Sequence, residues 1–116
     1  MLLRIDQSST TPLFDQLAAS IRAAAISGSI TAGERLPAAR ELAESLDINV
    51  HTVLRAYQVL RDEGLVDLRR GRGAVITDRA ARYSQLSAAI DTVVAQARTL
   101  DISPDTVTAL LREALK

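Results

Sequence analysis

Asn49-Val50-His51-Thr52-Val53-Leu54-Arg55-Ala56-Tyr57-Gln58-Val59-Leu60 is the stretch on which the fold turns. Val53, Ala56, Tyr57 and Leu60 recur at helical spacing and make one apolar stripe. His51, Thr52, Arg55 and Gln58 fall outside that stripe, on a polar face. Asn49 is a good N-cap, because its side chain can accept from the free amides of a first helical turn. Gly64 stands beyond the helix, where a left-handed residue is often needed. The pattern predicts a helix anchored on one side and offering hydrogen-bonding groups from its N-terminal end on the other. Reading base edges in a major groove requires that arrangement, although an ordinary solvated helix face has it too.

The segments before it favour the first reading. Thr11-Pro12 is a helix-start signal with proline at the first helical position, and Leu13, Phe14, Leu17, Ile21 and Ala24 or Ala25 follow at helical intervals. Ser27-Gly28-Ser29 should end that helix. Ile30 to Leu36 reads as a connector with a turn at Ala32-Gly33 and a minimal strand at Arg35-Leu36. Pro37 should open a second helix with Leu42, Ala43 and Leu46 inward and Arg40, Glu41 and Glu44 outward. Asp47-Ile48 then leaves only a tight turn before the quoted stretch, which makes a helix-turn-helix.

After Gly64, Leu65-Val66-Asp67-Leu68 and Ala74-Val75-Ile76-Thr77 read as two short strands around the basic, glycine-rich turn Arg69-Arg70-Gly71-Arg72-Gly73. A hairpin directly after a helix-turn-helix is a wing. Its arginines could reach a minor groove or run along phosphates, or simply decorate a solvated tip. Before these segments, Leu3-Arg4-Ile5 is a short edge strand or a loose arm.

Asp78 can cap a long helix beginning near Arg79. Tyr83, Leu86, Ile90, Val93, Ala97 and Leu100 are spaced three, four, three, four, three, a narrow seam suited to helix-on-helix packing. Ser103-Pro104-Asp105 restarts a helix, with Val107, Leu110, Leu111, Ala114 and Leu115 on its apolar face. Such a seam could fold back on its own winged domain or meet a partner chain; a helix pair this short cannot easily bury its apolar face alone, so a homodimer is expected. The predicted fold class is mostly α with one small β-hairpin: a winged helix-turn-helix over residues 1–78 and a two-helix dimerisation tail over 79–116.

Composition narrows the function classes. Of 116 residues, 47% are apolar and 24% charged, ordinary for a soluble globular protein. Aromatics make up 3%, so the core must be aliphatic. There is no cysteine and one histidine, which leaves no thiolate metal site and no evident base–nucleophile pair; no metal, no cofactor and no enzymatic activity are expected. No apolar run approaches the roughly 20 residues that span a bilayer. The start of the chain lacks the order of a signal peptide, so a cytoplasmic protein is expected. The net charge is zero. Met1 to Asp78 has 9 basic and 10 acidic residues, and Arg79 to Lys116 has 5 and 4, so any DNA footprint must be local.

The motifs Pro12-Leu13-Phe14-Asp15-Gln16-Leu17, Gly33 to Ala43, Thr52 to Tyr57, Glu63-Gly64-Leu65 and Arg70 to Gly73, taken in this order, resemble the GntR family of bacterial transcription regulators. Ala56-Tyr57 and the short helical tail look most like its YtrA-like subgroup. The resemblance implies a winged-helix DNA-binding domain followed by two dimerising helices. It assigns DNA contact to Arg40. The chain departs from the pattern at Ala38, where the family often has serine, at Asn49-Val50, where Ser-Arg is common, and at Leu54, where arginine is common. Arg55 and His51 would then take over part of the contact. The expected partners are a second copy of the chain and a double-stranded DNA operator, palindromic to match two-fold symmetry. A small-molecule effector stays open, since the tail is short for enclosing a ligand. The rival reading is a winged-helix protein-interaction module that binds no DNA, which the zero net charge favours.

Overall fold

The structure, a computed structural model, describes residues 5–116. Most of the arm or edge strand expected at Leu3-Arg4-Ile5 therefore lies outside the described residues. Two compact units follow one another, the first ending at Ser84 and the second spanning Gln85–Lys116.

The first unit opens with α1 (Leu13–Ser27), which Gly28 closes in a left-handed conformation at φ 88°. Proline is not at the first helical position as expected. Pro12 is the N-cap, extended at ψ 144°, and its carbonyl accepts from the Asp15 and Gln16 amides. The Gln16 side chain reaches back to the Thr11 and Asp6 carbonyls, so the approach to the helix is held by hydrogen bonds. The second helix, α2 (Ala39–Leu46), starts two residues beyond Pro37, which the sequence had suggested as its opening. Asp47 takes a left-handed conformation at φ 55° and turns the chain into α3 (Val50–Asp62). The Asn49 cap forms as expected, its Oδ1 accepting from the His51 amide at 2.7 Å.

The stripe of α3 is the centre of the core. Val53, Ala56 and Leu60 are fully buried, and Tyr57 nearly so. Leu17, Ile21, Leu36, Leu42, Leu65, Val66, Ile76 and Ala80 pack into the same cluster, which is aliphatic apart from Tyr57. The Tyr57 hydroxyl donates to the Pro37 carbonyl at 2.7 Å, tying α3 to the start of α2. Across the other side, Arg22 of α1 grips Glu63 with one edge of its guanidinium, Nε donating to Oε2 at 2.8 Å and Nη2 to Oε1. The carboxylate beside it raises the Arg22 pKa.

Burial pushes the Tyr57 phenol up to about 12. The unfolded chain loses this proton near pH 10, before the folded one does. Stability is therefore whole below about pH 10 and falls as pH rises from there towards about 12. Tyr57→Phe should remove that alkaline slope, while costing about 1 kcal/mol at neutral pH because the Pro37 carbonyl loses its donor. Urea unfolding near pH 8 and near pH 11 checks both parts.

The wing consists of β1 (Val66–Arg69) and β2 (Gly73–Ile76), antiparallel with Val66 opposite Ile76 and Arg69 opposite Gly73. The minimal strand expected at Arg35-Leu36 forms on the other edge of β2, as a bridge from Arg35 to Val75. Leu36 donates to the Ala74 carbonyl at 2.8 Å, and Ile76 donates to the Glu34 carbonyl at 2.9 Å. The wing is thus pinned along the free edge of β2 to the connector between α1 and α2. At its base the Gly64 carbonyl accepts from the Thr77 hydroxyl at 2.6 Å. Gly64 itself has φ 79°, a conformation that favours glycine, whereas the Arg79 side chain beside it could swing away from an added Cβ.

The single long helix expected from Arg79 is broken. A short helix, α4 (Asp78–Arg82), packs on α1, and α5 (Ser84–Thr99) begins after Tyr83. Asp78 lies in the first turn of α4 rather than capping it. The break has a tertiary cause: Tyr83 packs against the core of the first unit, and Arg79 Nε donates to its hydroxyl at 2.7 Å. Leu86, and not Tyr83, is thus the first seam residue within the second unit.

In that unit, Asp101 at φ 55° turns the chain from α5 into α6 (Pro104–Ala114). Ser103 caps α6, its Oγ accepting from the Thr106 amide at 3.2 Å, with Pro104 first in the helix as the sequence predicts. None of the side chains described in Gln85–Lys116 is buried. Among the described residues no helix is long and apolar enough to cross a membrane.

Candidate nucleic-acid interface

Burial of one stripe of α3 leaves the opposite face outward. His51, Arg55 and Gln58 are exposed there, and Thr52 is half-buried on the flank. Asn49 is exposed at the cap, where one oxygen lone pair is taken by the His51 amide. Leu54 is also exposed, at 42%, so the polar face has an apolar border.

Arg40 projects from the first turn of α2 and is exposed. Glu44, one turn along α2, does not pair with it, and among the described residues Arg40 has no carboxylate partner. No side chain caps α2, so its first-turn amides are left available. A helix start of this kind favours an anion.

The wing tip turns through Arg69, Arg70, Gly71 and Arg72, with the Arg72 amide donating to the Arg69 carbonyl at 3.1 Å. Gly71 has φ 82° with open space where a Cβ would go, so it is required by the turn and not by packing. Arg70 and Arg72 are exposed and unpaired among the described residues. Arg69 differs from them: its Nε donates to Asp67 at 2.8 Å, which offsets part of its charge.

The structure brings the wing and α2 together. Gly71, Arg72 and Gly73 line one cleft with Arg35, Leu36, Pro37, Ala38 and Glu41, a space of about 550 Å³. Arg35 was expected as part of a minimal strand and not among the DNA-contacting residues. It lies beside the wing because the bridge to Val75 holds it there. A second groove, of about 360 Å³, is lined by Leu13 and Phe14 of α1 and by His51, Thr52 and Arg55 of α3. Within it the Arg55 guanidinium lies over the Phe14 ring, 3.9 Å from its centroid.

This surface offers bidentate arginine donors, backbone amides and short polar side chains, with few opposing carboxylates. Such a set can hold phosphates and reach base edges. The seam residues are elsewhere, in the second unit. Leu86, Ile90, Val93, Leu100, Leu110 and Leu111 are all exposed there, and Ala97 is half-buried.

Comparison with known proteins agrees with this architecture. Residues 13–76 match the family described as bacterial regulatory proteins, gntR family. The chain is 35% identical over 79 residues to the HTH-type transcriptional repressor YtrA of Bacillus subtilis (strain 168), covering 68% of this chain and 61% of that one. It is 34% identical over 101 residues to the HTH-type transcriptional regulator Rv1152 of Mycobacterium tuberculosis, covering 87% of this chain and 84% of that one. The solved structure of YtrA from Sulfolobus acidocaldarius, a GntR-family transcription factor, matches with a TM-score of 0.62 and 33% identity, over 82% of this chain and 99% of that one. A winged helix-turn-helix with α3 outward and a pinned wing is thus found together with sequence similarity across most of the chain: it belongs to the GntR family of bacterial regulatory proteins, DNA-binding transcriptional regulators and not enzymes.

Proposed function

We propose that the chain acts in the cytoplasm as a homodimeric repressor on a palindromic operator. The observation that carries the DNA half of this reading is the clustering of uncovered arginines: Arg72 and Arg35 share a cleft with the uncapped start of α2, and Arg40 and Arg55 stand outward on the helix-turn-helix. In this reading α3 enters the major groove, with Asn49, His51, Thr52, Arg55 and Gln58 towards the bases or flanking phosphates. Arg69, Arg70, Gly71, Arg72 and Gly73 of the wing take the adjacent backbone or minor groove. The Bacillus subtilis relative YtrA is a transcriptional repressor, which supports the same role here.

The dimer half rests on the tail, Arg79–Lys116. Its α5 and α6 carry large apolar side chains but bury none, so they lack a core of their own. Packing against a second copy would supply one. The groove of about 320 Å³ lined by Val94, Ala97, Ile102, Pro104 and Val107 is at the lower end of the size of ligand sites. An effector bound there would be small, and would act through the spacing of the two recognition helices.

Arg40→Ala and Arg55→Ala should each weaken specific binding by about 1–3 kcal/mol, as expected for loss of a bidentate contact. Fluorescence anisotropy with a duplex selected from random sequence measures it; unchanged affinity would contradict the assigned roles. Binding should also fall steeply between about 50 and 200 mM salt, because arginine–phosphate contacts release counterions. Absence of duplex binding at either salt concentration would favour the protein-interaction module.

A further inference from the structure

Arg55 faces outward from the N-terminal half of α3, yet its guanidinium does not extend freely into solvent. It rests on the ring of Phe14, with Cζ 3.9 Å from the ring centroid. Phe14 comes from the first turn of α1 and also packs against the core cluster, so the ring is held from behind. His51 and Thr52, one helical turn before Arg55, line the same groove. Among the described residues no carboxylate pairs with Arg55.

Stacking of this kind leaves the hydrogen-bond donors of the guanidinium unused. They lie in its plane, while the ring occupies one face. An arginine on a bare helix surface must give up its side-chain freedom when it docks on a base or phosphate. One already resting on a fixed ring gives up less. A salt bridge would also fix the arginine, but it would spend the donors that DNA needs.

We propose that Phe14 is a positioning residue for DNA reading, a platform that sets where the donor fork of Arg55 points and so contributes to operator specificity. This rests on the reading of α3 as the DNA-facing helix. Phe14 itself need not touch DNA. What matters is a flat aromatic face at this place in α1, so tyrosine should serve and leucine should not.

The test is a double-mutant cycle on the full chain, read by anisotropy with a selected operator duplex and with a random duplex. Phe14→Leu should weaken operator binding about three- to tenfold, the range that ordering one long side chain accounts for. Random-duplex binding should change little. Phe14→Tyr should retain near-normal operator binding. In an Arg55→Ala background, Phe14→Leu should have no further effect. Thermal unfolding of each variant reports any loss of packing separately; a merely structural role would lower stability without this dependence on Arg55. If Phe14→Leu binds the operator like the parent, or weakens it equally with and without Arg55, the proposal is overturned. If the parent chain binds no duplex, or Arg55→Ala has no effect, it is the underlying reading of α3 that fails.

Discussion

Replacing Ile90 and Val93 together by glutamate is expected to leave the protein monomeric in analytical ultracentrifugation. Both residues stand on α5, 49% and 36% exposed, in a unit with no buried side chain of its own. Buried against a second copy, two unpaired carboxylates would cost several kcal/mol. Operator affinity should then fall by about 10²–10⁴-fold, because two half-sites would no longer be gripped by linked domains. The thermal transition of the winged unit should be unchanged, since these positions lie outside its core. A dimer that persists through both substitutions would mean that the seam packs elsewhere and that another surface carries the assembly.

Leu60→Ala should have the largest effect on folding. Leu60 is fully buried on α3, in the cluster shared by α1, α2 and the wing. Truncating a leucine in such a site costs about 2–5 kcal/mol, partly lost transfer free energy and partly the cavity left behind. A unit of this size is commonly stable by only about 5–10 kcal/mol, so the variant should melt about 10–30 °C lower. Circular dichroism checks this. DNA binding at low temperature should survive, because Leu60 faces away from the polar surface. A melting point unchanged within a few degrees would show that the core is not centred on α3.

The helix-turn-helix was legible because its signals are local. The spacing of Val53, Ala56, Tyr57 and Leu60 marks the buried stripe, and Asn49 marks where the helix begins. The wing was legible from two short apolar runs around Arg69 to Gly73, and even the Arg35 bridge was anticipated. The break at Tyr83 was not. Its spacing continues the α5 seam, so the sequence reads as one long helix, but the Tyr83 side chain is held by Arg79 and the core of the first unit. Tertiary packing overrides helical periodicity there.

The candidate interface was legible residue by residue, but not as a surface. Outward arginines on α2, α3 and the wing could be picked out by elimination from the apolar stripe. That Arg69 is partly neutralised by Asp67 depends on strand geometry. The stacking of Arg55 on Phe14 joins residues 41 positions apart and carries no periodic signal. The Arg22–Glu63 clamp spans the same separation, and is invisible to sequence for the same reason.

The central claim, that the start of α3 and the tip of the wing face a duplex together, is tested most directly by amide chemical-shift mapping of the labelled protein titrated with a selected operator duplex. The account predicts perturbations concentrated at Arg40, from Asn49 to Arg55 and from Arg69 to Gly73, with Gln85–Lys116 little changed. Perturbations that spare both α3 and the wing while marking another face would contradict it.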